Sequence, residues 1–210
     1  MATRTGTAGP KRLPRAVREQ QMLDAAVAVF SRRGYHAAAM DEIAEQAGVS
    51  KPMLYFYLGS KEELFAACIR READRLTEAI ATAVSVESSA DRQLWEGLRA
   101  FFVFVAEHRD SWVVLYQQAR AQGESIAREV SRARRVIIDN VADLVRASGG
   151  GRVRGGEPEA VAHALVGAAD ALSEWALGYP DEPPERSARR VMDLMWVGLE
   201  RRAQGERYEP

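Results

Sequence analysis

The chain has 210 residues, 47% of them hydrophobic and 28% charged, with a formal net charge of −1. That balance suits one or two globular domains with a sizeable core and excludes a disordered or fibrous chain. The charge is unevenly spread: Arg4, Lys11, Arg12, Arg15 and Arg18 all precede the first acidic residue, Glu19. A local basic arm of this kind suits contact with phosphates even in a near-neutral protein, although a solvated cationic tail would look the same.

A single cysteine, Cys68, rules out an intrachain disulfide and a cysteine-based zinc cluster. The longest apolar stretch, residues 160–179, is interrupted by His163, Asp170 and Glu174, so no membrane span and no membrane partner are expected. The basic N-terminus has no apolar run behind it, which argues against a secretory signal. A cytoplasmic location is expected.

Residues 1–12 read as a mobile basic arm. A helical period begins at Pro14, with Leu23, Ala26, Val27 and Phe30 on one face. Gly34 is placed to end that helix behind Arg32 and Arg33, which suit the negative end of its dipole. A second short helix turns Met40, Ile43, Ala44 and Ala47 inward. Gly48, Val49 and Ser50 form a tight turn, and a third short helix runs from Lys51 to about Tyr57. Ser60 and Glu63 have capping-box spacing and open a fourth, longer helix. Further helices are expected near 61–84, 91–107, 110–121, 124–147, 157–179 and 184–203. Glycine clusters at 149–151 and 155–156, and prolines at 180, 183 and 184, mark the breaks. The expected fold is all-α: a three-helix module over 13–60, then a helical bundle over 61–205.

Two short helices joined by a glycine-led turn make helix-turn-helix geometry. Gly48 can adopt the positive φ of the sharp turn, and Val49 can fill the angle between the helices. Ser50 can cap the third helix, where Pro52 is tolerated in the first turn. Leu54 faces the module's core. That leaves Lys51, Met53, Tyr55, Phe56 and Tyr57 around a helix with few buried positions. Lys51 and Tyr57 are read as DNA contacts. Phe56 remains open between packing on neighbouring helices and facing DNA.

The stretch from Met40 to Phe65, MDEIAEQAGVSKPMLYFYLGSKEELF, resembles the DNA-binding signature of the TetR family, as does the preceding MLDAAVAVFSRRGYHAAAM. The resemblance implies a ligand-responsive repressor that binds a palindromic double-stranded operator as a homodimer, with no cofactor and no enzymatic activity. It implies base or backbone contacts for Lys51 and Tyr55 and phosphate contacts for Tyr57 and Lys61. Arg15, Ser50 and Met53 complete the expected DNA-binding set. The sequence departs from the family pattern twice. Ala39 stands where a capping, phosphate-touching Thr is usual, and Leu58 stands where Phe is usual.

The last two helices are apolar on two sides, so each needs two partners. One face can meet the core and the other a second subunit. Ala164, Ala168, Ala171 and Trp175 on one helix, with Val191, Met195 and Gly198 on the other, are the expected dimer contacts. The bundle interior is the expected site of a small apolar or aromatic effector. Its candidate residues are Trp95, Phe102, His108, Trp112, Tyr116, Asp170 and Glu174. For Asp170 and Glu174 a solvated or interfacial strip is the competing reading. An enzyme is disfavoured. No P-loop lysine follows the glycine-rich linker, no G-x-S-x-G is present, and His, Cys and Asp do not cluster at metal spacing.

Overall fold

The computed structural model describes residues 14–114, 124–148 and 157–203, and the elements found among them are helices. They are α1 (Arg15–Ala37), α2 (Met40–Gln46), α3 (Lys51–Leu58), α4 (Lys61–Ala83), α5 (Ala90–Glu107), α6 (Arg109–Trp112), α7 (Glu124–Ser148), α8 (Glu157–Leu177) and α9 (Pro184–Ala203). Of the helix expected at 110–121, residues 115–121 lie outside the described residues. So do the arm at 1–12 and the glycine linker at 149–156. The chain divides into two compact units between Cys68 and Ile69. The opening turns of α4 therefore belong to the first unit, which extends past the boundary expected at residue 60.

In the first unit α1 buries Met22, Leu23, Ala26, Val29 and Phe30, a stripe at helical spacing. Gly34 leaves helical geometry at φ 76°, and Tyr35 to Ala37 form one further turn beyond it. That turn lets Tyr35 join Phe30 and Phe65, whose rings meet edge to face at 4.8 Å between centroids. Leu64, Phe65 and Cys68 on α4 are fully buried, which is why the first unit reaches so far into that helix. Cys68 sits in this core, its Sγ donating to the Leu23 carbonyl at 3.9 Å.

In the second unit α5 packs against α6, α7, α8 and α9. A helix with neighbours on most sides must be apolar on most sides. Leu94, Leu98, Phe101, Phe102, Phe104 and Val105 are accordingly all buried. The helix α7 is amphipathic and turns Ile138, Ala142 and Val145 inward. From α8, Ala162, Leu165 and Ala169 face the core, and from α9, Ala188 and Val191 do so.

Candidate nucleic-acid interface and effector cavity

Helix α3 is eight residues long, too short to persist alone in water, so its neighbours must hold it. Ser50 caps it, the hydroxyl accepting from the Met53 amide at 3.3 Å. Leu54 and Leu58, one turn apart, are buried at 0% and 8% exposure. Gly48 takes φ 66° in the turn before the helix, and Gly59 takes φ 70° after it. A Cβ at Gly59 would lie 2.3 Å from Glu63 Oε2. The bare glycine gives that carboxylate room to reach back to the Ser60 amide at 2.7 Å, while Ser60 Oγ accepts from the Glu63 amide at 3.2 Å. This is the capping box expected from the sequence, and the Ser60 amide, followed by the Ser60 hydroxyl, favours the charged Glu63 carboxylate and holds it below its ordinary pKa.

The inward leucines fix what α3 presents outward. Lys51, Pro52, Tyr55 and Phe56 are exposed. Lys51 Nζ lies 2.9 Å from Asp41 Oδ2, a bond that raises the lysine pKa and keeps it charged. Both partners are well exposed, so the pair orients Lys51 without adding much stability. Met53 is half-buried, with Arg18 Nη1 3.8 Å from its sulfur, so part of its surface is turned toward α1. Tyr57 is half-buried beneath the Arg15 guanidinium, 5.3 Å from the ring centroid. Lys61 donates to the His36 carbonyl at 3.0 Å and lies 4.9 Å above the Tyr35 ring. Burial of Tyr35 and the nearby Glu62 charge raise that tyrosine's pKa. Arg15, Lys51 and Lys61 thus each gain a fixed position within the first unit. The N-cap of α2, Ala39, offers no side-chain acceptor.

The second unit holds a partly open cavity of about 830 Å³, toward the upper end of the range of small-molecule sites. Its walls are mainly apolar: Leu76 and Ile80 of α4, Leu98 and Phe101 of α5, Ile137 and Val141 of α7, and Leu165 of α8. A Cβ on Gly97 would make ordinary van der Waals contact with Val84 at 3.6 Å and Ile80 at 3.8 Å, so α5 passes close to the end of α4 here. At the cavity wall Arg134 of α7 pairs with the buried Asp170 of α8, and Asp143, a second lining carboxylate, pairs with Arg146. Arg134 was not anticipated from the sequence. It sits on a strongly amphipathic helix whose many arginines give no sign of which one turns inward.

Of the residues expected to hold an effector, Trp112 and Asp170 line the cavity. The packing places Phe102, Trp95, His108 and Glu174 away from the cavity lining. Phe102 is buried elsewhere in the core, while its neighbour Phe101 takes the cavity side. Trp95 lies under the Arg189 guanidinium, 5.6 Å from its ring centroid. His108 stacks on Phe104 at 4.5 Å, with Nδ1 3.2 Å from that residue's carbonyl. Glu174 is exposed, and Tyr116 lies outside the described residues.

Among the expected dimer contacts, Ala164, Ala171 and Gly198 are exposed, and Ala168 is half-buried. Trp175 is exposed, stacked on Tyr179 at 4.3 Å with Arg190 over its ring. Met195 is half-buried against the core. Val191 is a correction: at 2% exposure it is core within one chain and has no surface to offer a partner. Leu194 on the same helix is 80% exposed. The apolar pattern of α9 is broad enough to leave its phase ambiguous.

The sequence matches the family model for bacterial regulatory proteins of the tetR family over residues 22–68. It matches the tetracyclin repressor-like C-terminal domain over residues 90–198. A TetR-like transcriptional regulator from Rhodococcus sp. RHA1 is 47% identical, with a TM-score of 0.78 over 90% of this chain and 98% of that one. The transcriptional activator FasR of Mycolicibacterium smegmatis is 37% identical over 139 residues, which are 66% of this chain and 64% of FasR. The chain thus spans just under two thirds of that relative. The FadR structure from Bacillus subtilis, in complex with stearoyl-CoA, shares the fold at a TM-score of 0.76 over 85% of this chain and 98% of that one, with 19% identity. With both modules matched in order, the chain belongs to the TetR family of bacterial regulators.

Proposed function

We infer that the chain is a DNA-binding transcriptional regulator that grips a palindromic operator as a homodimer and responds to a small, largely apolar effector. The observation that carries this reading is the outward face of α3. Ser50 caps it, Leu54 and Leu58 anchor it, and it holds Lys51 and Tyr55 toward solvent with Arg15, Tyr57 and Lys61 in the same unit. A short helix kept rigid from behind, bearing donors and cations in front, matches what the major groove and its phosphates require. The exposed small residues of α8, with Trp175 and Leu194, support pairing of two copies through α8 and α9.

The cavity supports the effector reading. Its apolar walls and few polar groups suit a molecule with a long hydrocarbon portion, and an acyl chain, named for FadR as stearoyl-CoA, is the concrete candidate. An effector changes operator affinity only if it prefers one conformation. A hundredfold change needs about 2.7 kcal/mol of coupling, and operator must then change effector affinity by the same factor. Helix α4 supplies both Lys61 and cavity residues, which makes it the lever in this scheme. Repression is the family-typical outcome. Activation is the second reading, favoured by the name of FasR.

The test is binding to the DNA upstream of the chain's own gene at several salt concentrations. If Arg15, Lys51 and Lys61 of both subunits each neutralise a phosphate, log K falls with log[salt] at a slope of about −5. The Lys51→Ala/Lys61→Ala variant should flatten that slope by about 3–4. Salt-independent affinity, or an unchanged slope in the variant, would overturn the reading. A reporter read with and without the chain gives the sign of regulation.

A further inference from the structure

We propose that Phe56 reads thymine: its ring, with Pro52 one turn before it, forms an apolar ridge that packs on thymine 5-methyl groups in the major groove. This rests on the DNA-binding reading above and adds a base preference to it. Phe56 is 78% exposed, on a helix whose inward positions are already filled by Leu54 and Leu58. A single exposed apolar residue is ordinary on a protein surface. Its address is what makes this one informative. Pro52 and Phe56 lie at i and i+4 on the outward face of α3, beside Tyr55, and both are exposed. Lys51 on the same helix, and Arg15 and Lys61 in the same unit, are cations, so the face is complementary to a polyanion and poorly suited to an apolar protein partner.

The ring is also held in place. It meets Tyr57 edge-on at 5.6 Å between centroids, and Tyr57 in turn carries the Arg15 guanidinium. A phenyl group has neither donor nor acceptor. Placed over the polar edge of guanine, adenine or cytosine, it would strip water from base atoms and return no hydrogen bond. Thymine alone presents a methyl group there, on its C5. The polar part of base reading then falls to Lys51 and Tyr55, and the apolar part to Phe56 and Pro52.

The experiment uses the full-length chain and the duplex it enriches from a random-sequence library. Each thymine of that duplex is replaced in turn by uracil, which removes only the methyl group. Uracil at the covered position of one half-site should weaken binding about fourfold, and about fifteenfold when both half-sites carry it, the worth of one buried methyl each. At the thymine that the ring covers, Phe56→Ala should bind thymine and uracil duplexes equally, and Phe56→Leu should retain part of the discrimination. Because the side chain is exposed, both variants should unfold at the parental denaturant midpoint. Indifference of the parent chain to uracil at every position would overturn the proposal, as would a Phe56→Ala variant that still discriminates. If the parent chain enriches no duplex at all, the DNA-binding reading falls and this one with it.

Discussion

Replacing Ala39 by threonine should both stabilise the first unit and tighten DNA binding. Ala39 already has N-cap geometry, φ −104° and ψ 139°, and its carbonyl accepts from the Ile43 amide at 3.2 Å. It lacks only the side-chain oxygen that would accept from the amides of Asp41 or Glu42. Because the backbone is in place and the residue is exposed, a hydroxyl can be added without rearrangement. Glu42 stands three residues on, so the substitution also creates the T-x-x-E spacing of a capping box. The gain should be about 1 kcal/mol, the usual difference between threonine and alanine at an N-cap. For a chain of 210 residues, that is a rise in Tm of roughly 2–4 °C. Calorimetry or urea unfolding reads the stability, with Ala39→Val as the control that keeps the β-branched shape and lacks the oxygen. In the family pattern the hydroxyl at this place also touches a phosphate. Affinity should therefore rise while the salt slope stays constant, since a neutral donor releases no counterion. If valine stabilises as well as threonine, or threonine gives no gain, the capping argument is wrong.

Other outcomes follow from the same geometry. The folded-state pKa of Glu63 is lowered by its bonds to Ser60, so its contribution is fully present above the ordinary glutamate pKa and fades as pH falls through the folded value. The stability difference between the parent chain and Glu63→Ala should accordingly shrink on acidification, and a difference that grows would contradict the assignment. Trp112 lines the cavity and meets Phe101 edge-on at 5.2 Å. A long-chain acyl ligand should therefore change the protein's tryptophan emission, and Trp112→Phe should remove most of that change while calorimetry still detects binding. At the proposed dimer face, Leu194→Glu should yield monomers in sedimentation without altering protomer stability. Val191→Ala should do the reverse, loosening the core and leaving self-association intact; equal effects of the two would show that the exposed face of α9 is misassigned.

Local signals carried the first unit. Gly48, the Ser50 cap, the Ser60–Glu63 box and the Leu54 anchor are each decided by residues within a few positions of one another, so the sequence alone settled the helix-turn-helix and most of what it presents. Phe56 marks where that reasoning stopped. Its exposure follows once Leu54 and Leu58 are known to be the inward pair, but a run of three aromatics does not say which of them is buried. In the second unit, composition established helices and an apolar interior. Only tertiary packing decided that Phe101 and not Phe102 faces the cavity, that Arg134 turns in to meet Asp170, and that Val191 is core while Leu194 is surface. The physical reason is the breadth of the apolar pattern. A helix with one wet face declares its orientation through its period, whereas α5 and α8 are apolar on several sides, and their side chains are assigned to core, cavity or partner only by the neighbours that close around them.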